Sequence, residues 1–439
     1  MKSSYISKVK DKLEKLYHGQ TEYLQAIEEL IEYSEIEPYL EEVLVSENLL
    51  ERLLLPDRVI CFNVAWVDDQ GEVQVNQGWR VQHSNLIGPY KGGVRFHPNV
   101  NESVLKFLAL EQTFKNALTG LPIGGAKGGS NFDPKGKTRR EVMRFCQAFM
   151  DELSRYIGPN TDIPAGDINV GTREIGYMFG RYRRLQNQFS GAMTGKSIEF
   201  GGSQVRVEST GYGVIYFVEK LLEHQQKSLD SMKIIISGSG NVALHTAKKA
   251  IEKGAVVLTL SNSKGYCYRN AGFTQEMVDE LISNESRPKL DRLAEKFNAK
   301  WFDNDTPWEV KADIAIPCAT QNELGAEDAK HLIDNDIQFV LEGANMPCTA
   351  KAVELFEGSK VVFAPAKAVN SGGVVASTLE MGQNAIFYPE SFDLVSDKLK
   401  NTMGDIHDSC ISHNESSYLR GANSATFSRL IIAMAEQGV

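Results

Sequence analysis

The chain has little of what metal sites, disulfide frameworks and membranes require. Its six cysteines, Cys61, Cys146, Cys267, Cys318, Cys348 and Cys410, are scattered, and no two are spaced as CxxC. Neither a zinc site nor a disulfide framework is therefore indicated. The eight histidines show no ligand spacing, so no metal is expected. No apolar run approaches the roughly 18 residues needed to cross a bilayer, and no membrane association is expected. The opening stretch from Met1 to Lys10 lacks the apolar core of a signal peptide. Positive charge is short as well: 47 Lys and Arg stand against 57 Asp and Glu, a net −10. That balance argues against a general nucleic-acid binder. Together these absences leave a reducing cytoplasm as the expected location.

What is present suits a globular protein of two or three domains: 439 residues, 42% of them hydrophobic. Residues 1–55 read as helices, with Leu13, Leu16, Tyr17, Ile27, Leu30 and Ile31 at helical spacing. Residues 58–87 read as two strands around the turn Asp68-Asp69-Gln70-Gly71. Residues 102–120 read as a helix. A second unit begins near residue 203, where short apolar runs alternate with helices at 232–237, 255–260, 312–317, 338–342 and 360–365. That alternation predicts a parallel, doubly wound sheet. The stretch 383–439 reads mostly as helix. The expected fold is α/β in two domains. Residues 1–202, completed by a C-terminal helix at about 412–439, are expected to form one α/β domain. Residues 203–411 form a Rossmann-like dinucleotide-binding domain. The crevice between domains is the expected ligand site.

The run Gly238-Ser239-Gly240-Asn241-Val242-Ala243 reads as GxGxxA between a strand and a helix. Gly238 permits the tight turn, Gly240 lets the backbone reach a pyrophosphate, and Ala243 allows close helix–strand packing. The helix amino terminus offers N–H donors and a positive dipole end. The following strand ends at Ser261-Asn262-Ser263-Lys264-Gly265. An NAD-selective site carries an acid near that point. Here Ser263 and Lys264 stand instead, and a lysine suits the extra 2′-phosphate of NADP as a point charge. The alternative is a solvated turn lysine.

Three lysines fall within 37 residues on glycine-rich or apolar backgrounds: Lys91, Lys115 and Lys127. Taken singly, each reads as an ordinary surface lysine, with Lys91 and Lys127 on loops and Lys115 on the helix. Glycine, however, lets a ligand approach the backbone closely, and the cluster suggests a pocket for a small, doubly anionic substrate. Asp167, in Pro164-Ala165-Gly166-Asp167, reads singly as a turn or cap residue. Beside Lys127 it could handle protons instead. A desolvated lysine near other cations has a lowered pKa and can act as acid or base near neutrality. Lys91 and Lys115 would then hold substrate carboxylates.

From about residue 56 to 384 the chain resembles the glutamate dehydrogenases of the hexameric bacterial class, within the Glu/Leu/Phe/Val dehydrogenase family. The matching stretches are Gly88-Pro89-Tyr90-Lys91-Gly92-Gly93-Val94-Arg95-Phe96-His97-Pro98, Leu121 to Gly129, Pro164 to Asp167, Thr210-Gly211-Tyr212-Gly213 and Asn370 to Val374. The resemblance implies that Lys127 is the catalytic lysine and Asp167 its partner in proton transfer. It implies that Lys115 and Gln112 hold the α-carboxylate and that Lys91 and Ser377 hold the distal one. Gly166 would line the site, and Arg206 would lie near the distal carboxylate and the hinge. Thr210, Asn241, Asn345 and Asn370 would contact the cofactor. The implied reaction is reversible: 2-oxoglutarate, ammonia and NADPH give L-glutamate and NADP, in a homohexamer, with residues 1–202 as the substrate and oligomerisation domain. Domain closure would exclude water from the imine intermediate.

The chain departs from the family pattern in two places. Arg206-Val207-Glu208-Ser209-Thr210 lacks the family's proline, and Asn131 stands where the family usually has Asp. Two rival readings share the fold. A relative acting on an apolar amino acid would need an apolar pocket, whereas Lys91 with Ser377 favours a carboxylate. A catalytically silent nucleotide-binding regulator could dispense with Lys127 and Asp167, yet both are present.

Overall fold

The computed structural model describes residues 2–33, 38–283 and 290–438. The chain divides into two compact units: residues 1–204 with 376–392 and 423–439, and residues 205–375 with 393–422. The expected division gave 412–422 to the first domain, where the structure has it in the second unit, and gave 376–392 to the second. The stretch 376–392 lies with the first unit because the helix Gly372–Ile386 is tied there through Glu380.

The first unit is built on a five-stranded sheet. β1 (Arg58–Val67) and β2 (Val73–Ser84) form the expected hairpin, in register from Arg58↔Gln82 to Val67↔Val73. β3 (Tyr90–Phe96) and β4 (Gly125–Ser130) lie parallel, and β5 (Asp162–Gly166) runs parallel to β3 at the edge. The strand order is β1-β2-β4-β3-β5. Side chains alternate across a strand, so the sheet has two distinct faces. One face sends Val94 and Phe96 into a core with Phe145 and Phe149 of the helix Arg139–Leu153. The other carries Val81, which packs with Leu105 and Ala109 of the helix Glu102–Leu118. The amino-terminal helices close a separate core, in which Leu13, Ile27 and Leu30 meet Phe427 and Leu430.

Lys91 and Lys127 lie on β3 and β4 and not on loops. Four of the six β4 residues are glycine or serine, so neither β-propensity nor alternation announces a strand. The glycines are what the packing demands. A Cβ on Gly125 would stand 1.9 Å from Thr113 Oγ1, and one on Gly92 would stand 1.6 Å from the Ala126 carbonyl oxygen.

The second unit holds a seven-stranded sheet. The five expected strands appear as β6 (Lys233–Ile236), β7 (Val256–Asn262), β10 (Ile314–Ile316), β11 (Phe339–Leu341) and β12 (Val362–Ala364), all parallel. Two further strands, β8 (Gly265–Tyr268) and β9 (Lys300–Asp303), are not expected from the apolar runs and add an antiparallel edge. The strand order is β12-β11-β10-β6-β7-β8-β9. From β6 it runs one way to β7 and the other way to β10. Open α/β sheets bind ligands at such a switch point.

The first sheet is pinned by a fully buried ion pair. Arg80 on β2 donates through Nε and Nη2 to Asp162 on β5, at 2.9 and 2.5 Å, and through Nη1 to the Gly92 carbonyl at 3.1 Å. Gln82 adds a third bond to Asp162 at 2.9 Å. Arg80→Met strips the cation from a carboxylate that water does not reach. It is expected to cost about 3–5 kcal/mol, measured as a lowered urea midpoint. An unchanged midpoint would show that Gln82 and the surrounding backbone hold Asp162 without the arginine.

Candidate functional site

β3 presents Lys91, Gly93 and Arg95 on one face, and the pair Val94↔Gly128 sets Lys127 of β4 beside Gly93. This is the face that the helix Glu102–Leu118 covers. That helix carries Gln112 and Lys115 one turn apart, a spacing that places them on one side. Asp167 follows directly after β5. A Cβ on Gly93 would stand 2.8 Å from the Asp167 Cβ, so the glycine leaves room for the carboxylate to lie across β3. There Lys127 Nζ approaches Asp167 Oδ2 at 3.4 Å, and Arg95 Nε donates to the same oxygen at 2.7 Å. Lys91 and Lys127 are 3% and 6% exposed. Gly166 is also required by packing, because a Cβ there would stand 2.3 Å from the Val170 carbonyl oxygen.

The electrostatics follow from burial of like charges. Burial lowers the pKa of Lys127, with Asp167 opposing the shift and Arg95 adding to it. Lys115 is brought down to about 8 by burial first and by the charge of Lys127 next, while Glu111 and Asp167 pull the other way. Burial alone would raise the Asp167 carboxyl. The charges of Lys127 and Arg95, with the Arg95 hydrogen bond, outweigh it and hold the group below the ordinary aspartate value. A lysine with weakened hold on its proton, in contact with an ionised carboxylate, is an acid–base pair suited to work near neutrality.

Two residues here are not singled out by sequence reasoning. Arg95 is visible there only as part of a matching stretch. Asn116 is fully buried and acts as a bracket. Its Nδ2 donates to the carbonyls of Lys91 and Gly124 at 3.1 and 2.5 Å, while its Oδ1 accepts from Gln112 at 2.7 Å. Its one signal is its place directly after Lys115. Ser377 is buried on the helix Gly372–Ile386, one turn before Glu380. Glu380 forms a buried ion pair with Lys196 at 2.7 Å and accepts from the Gly195 backbone at 2.8 Å. Thr194 in turn donates its backbone N–H to Pro164 of β5 at 3.0 Å. The departure at Asn131 is tolerated, since its Oδ1 accepts from the Gln77 backbone at 2.9 Å as an aspartate could.

The remaining expected residues belong to the second unit. Gly238 has φ +87, and a Cβ there would stand 3.1 Å from the Cys318 carbonyl oxygen and the Ala319 Cα. Its N–H donates to Ser261 Oγ at 2.6 Å, which ties the glycine loop to the end of β7. Gly240 is the extended residue before the helix Asn241–Glu252 and supplies no side-chain cap. A Cβ built on it would meet nothing within 4 Å. Uncapped helix N–H groups beside open space suit a pyrophosphate, and buried Ala243 lets the helix pack close. Ser239 and Val242 flank this opening in sequence. Asn241 Nδ2 is occupied with the Val207 carbonyl at 2.6 Å. Asn370 Nδ2 donates to Asn345 Oδ1 and to the Ala344 carbonyl, both at 3.0 Å, so these two asparagines do meet. Thr210 Oγ1 and Arg206 Nη1 lie 2.8 and 3.8 Å from where a Gly373 Cβ would stand.

Ser263 and Lys264 form the exposed two-residue turn that joins β7 to β8. β9 brings Asp303 opposite Gly265, and the Asn304 N–H bonds the Lys264 carbonyl at 2.6 Å. Of the other basic residues near this part of the chain, Arg287 and Lys289 lie outside the described residues, and Arg292 is exposed on the helix Leu290–Lys296. Among the described residues there is no cluster of metal-ligating side chains, and no helix is long and apolar enough to cross a membrane.

A Rossmann-type dinucleotide-binding domain joined to a second α/β domain is the plan of the two-domain dehydrogenases. Residues 56–184 match the family model described as Glu/Leu/Phe/Val dehydrogenase, dimerisation domain, and residues 201–438 match that described as Glutamate/Leucine/Phenylalanine/Valine dehydrogenase. Over 446 residues the chain is 49% identical to the NADP-specific glutamate dehydrogenase of Psychrobacter sp. (strain TAD1), with 99% of each covered. It is equally 49% identical, over 442 residues and 99% of each, to the NAD-specific glutamate dehydrogenase of Bacteroides fragilis (strain YCH46). The crystal structure of Plasmodium falciparum glutamate dehydrogenase aligns with a TM-score of 0.95 at 44% identity, over 100% of this chain and 95% of that one. The chain belongs to the Glu/Leu/Phe/Val dehydrogenase family.

A small dianion bound on the lysine face needs Lys115 protonated, and that proton is held with a pKa of about 8. Above that value, binding must take up a proton. Glutarate affinity, measured by calorimetry, should therefore weaken by up to about tenfold per pH unit as pH rises beyond 8. An affinity that stays flat well into the alkaline range would remove Lys115 from anion binding.

Proposed function

We propose that the chain catalyses the reversible reductive amination of 2-oxoglutarate with ammonia and NADPH, giving L-glutamate and NADP. The observation that carries this reading is the contact of Lys127 with Asp167 on a glycine-cleared face shared with Lys91 and covered by the helix of Lys115. Lys115 and Gln112 hold the α-carboxylate, and Lys91 and Ser377 hold the distal one, with Gly166 lining the site. Lys127 supplies the proton with which the carbonyl oxygen leaves as water, and Asp167 takes up the proton released by the attacking nitrogen. The reverse direction uses the same groups in opposite senses. Thr210, Gly238, Ser239, Gly240, Asn241, Val242, Ser263, Lys264, Asn345 and Asn370 hold the dinucleotide. NADPH, when bound, supplies the hydride. The part of Arg206 in substrate binding rests on the resemblance alone.

An apolar amino acid is disfavoured as substrate, because its side chain would meet the buried cation of Lys91. A silent regulator is disfavoured because the acid–base pair is intact and in contact. Cofactor choice cannot be taken from relatedness, since NADP-specific and NAD-specific relatives are equally similar. It rests on the turn. No acid stands in Asn262-Ser263-Lys264, and the loop bond from Gly238 to Ser261 sets this turn beside the phosphate-binding glycines. A homohexamer in the cytoplasm completes the proposal, by resemblance to the hexameric class.

Two measurements test this reading. Lys127→Ala should reduce turnover by about 10²–10⁴-fold while NADPH binding, followed by fluorescence, stays within a few-fold of the parent. Near-normal turnover would take Lys127 out of the chemistry. Lys264→Asp deletes an attraction and adds a repulsion. Charge-assisted hydrogen bonds are worth about 1.5–3 kcal/mol, so the ratio of kcat/KM for NADPH over NADH should fall by about tenfold to a hundredfold. A parent enzyme that prefers NADH would refute the reading of the turn.

A further inference from the structure

Arg95 has no part in the reaction as set out above, yet it is the nearer of the two cationic partners of Asp167. Position on β3 accounts for this. Val94 and Phe96 enter the core on one face, which leaves Lys91, Gly93 and Arg95 on the other. The turn after β5 is held independently by backbone bonds. Phe96 N–H donates to the Ile168 carbonyl at 3.1 Å, and Val170 N–H donates to the Asp167 carbonyl at 2.9 Å. Asn169, at φ +59, donates its Nδ2 to the Phe96 carbonyl at 3.0 Å. These bonds place the Asp167 backbone. Its carboxylate is met by the Ile168 N–H and by the side chains of Arg95 and Lys127.

We propose that Arg95 is a positioning residue: it fixes the Asp167 carboxylate through Oδ2 and keeps it from taking the proton of Lys127, so that it stands ready for the proton of the attacking nitrogen. The proposal rests on the reductive-amination reading. A lysine that acts as an acid becomes a neutral amine once in every cycle. At that moment an aspartate whose one contacting cation was Lys127 would be a largely shielded charge without an ion-pair partner, and it would take up a proton itself. The guanidinium of an arginine does not release its proton in a protein. The charged groups that face Asp167 are Arg95 on β3, Lys127 on β4 and Lys115 on the covering helix. Of the two that touch the carboxylate, Lys127 and Arg95, only Arg95 keeps a constant charge through the cycle. It thereby separates the charge of Asp167 from the protonation of Lys127, and the lysine proton goes to substrate and not to the neighbouring carboxylate.

The test compares Arg95→Gln and Arg95→Lys with the parent in steady-state assays across pH, using 2-oxoglutarate, ammonia and NADPH. Arg95→Gln should lower kcat by at least about tenfold with the KM for 2-oxoglutarate within about threefold. The acidic limb of its kcat profile should move up by about one pH unit. Arg95→Lys restores a cation and should recover most of both changes. An acidic limb that does not move, or a KM that rises as far as kcat falls, would overturn the proposal, the latter by making Arg95 a substrate ligand. A crystal structure of Arg95→Gln provides a readout that does not depend on activity, and its expected result is an Asp167 carboxylate rotated out of its position in the parent. The same rotamer as in the parent would overturn the positioning role. A parent inactive towards 2-oxoglutarate would sink the functional reading, while this structural comparison would still decide whether Arg95 orients Asp167.

Discussion

Crowding of buried cations on one glycine-cleared sheet face is the constraint from which the rest of this site follows. Lys115 and Lys127 each carry a charge that burial disfavours, and each sits in the field of other cations. A protein core avoids such an arrangement unless anions compensate it. Asp167 supplies part of that compensation, and a dianionic substrate is suited to supply more. The same crowding that attracts the substrate loosens the lysine proton, so recognition and acid–base chemistry share one physical origin. Strain of this kind must be borne elsewhere. The bonds of Arg80 to Asp162 and to the Gly92 carbonyl, and the bracket formed by Asn116, fasten the strands and helix that hold the lysines together.

The second unit works by openness where the first works by crowding. Gly240 leaves space in front of a helix whose first N–H groups have no side-chain cap, and this is a standing invitation to a phosphate. Fold and loop make the dinucleotide site. In the proposed reading, selection between cofactors falls to the short exposed turn of Ser263 and Lys264, whose backbone the strands hold. Two residues in a hairpin turn can change with little effect on the sheet behind them.

Much of this arrangement is legible in the amino-acid sequence. The GxGxxA run announces itself because strand, loop and helix are contiguous and each glycine has a backbone task. The lysine cluster is legible because glycines flank it. The strands beneath it are not, because Gly125, Gly128 and Gly129 carry no side-chain pattern from which a period can be read. β8 and β9 escape notice for a different reason: Gly265-Tyr266-Cys267-Tyr268 and Lys300-Trp301-Phe302-Asp303 are not the aliphatic runs that mark the parallel strands. The contacts that matter most at the site are the least legible. Arg95 and Asp167 lie 72 residues apart, and Asn116 and Lys91 lie 25 apart. Nothing in local sequence says that they touch: the register of β3 with β5 brings the first pair into reach, and the packing of the helix Glu102–Leu118 brings the second.

The central claim is that this face selects a dicarboxylate. The most direct test is the reductive amination rate of the parent protein with ammonia and NADPH across a panel of 2-oxo acids. The account predicts a kcat/KM for 2-oxoglutarate at least about a hundredfold above that for 2-oxo-4-methylpentanoate, since an apolar side chain leaves the buried distal lysine without its anion. Equal rates for the two, or a preference for the branched acid, would contradict it.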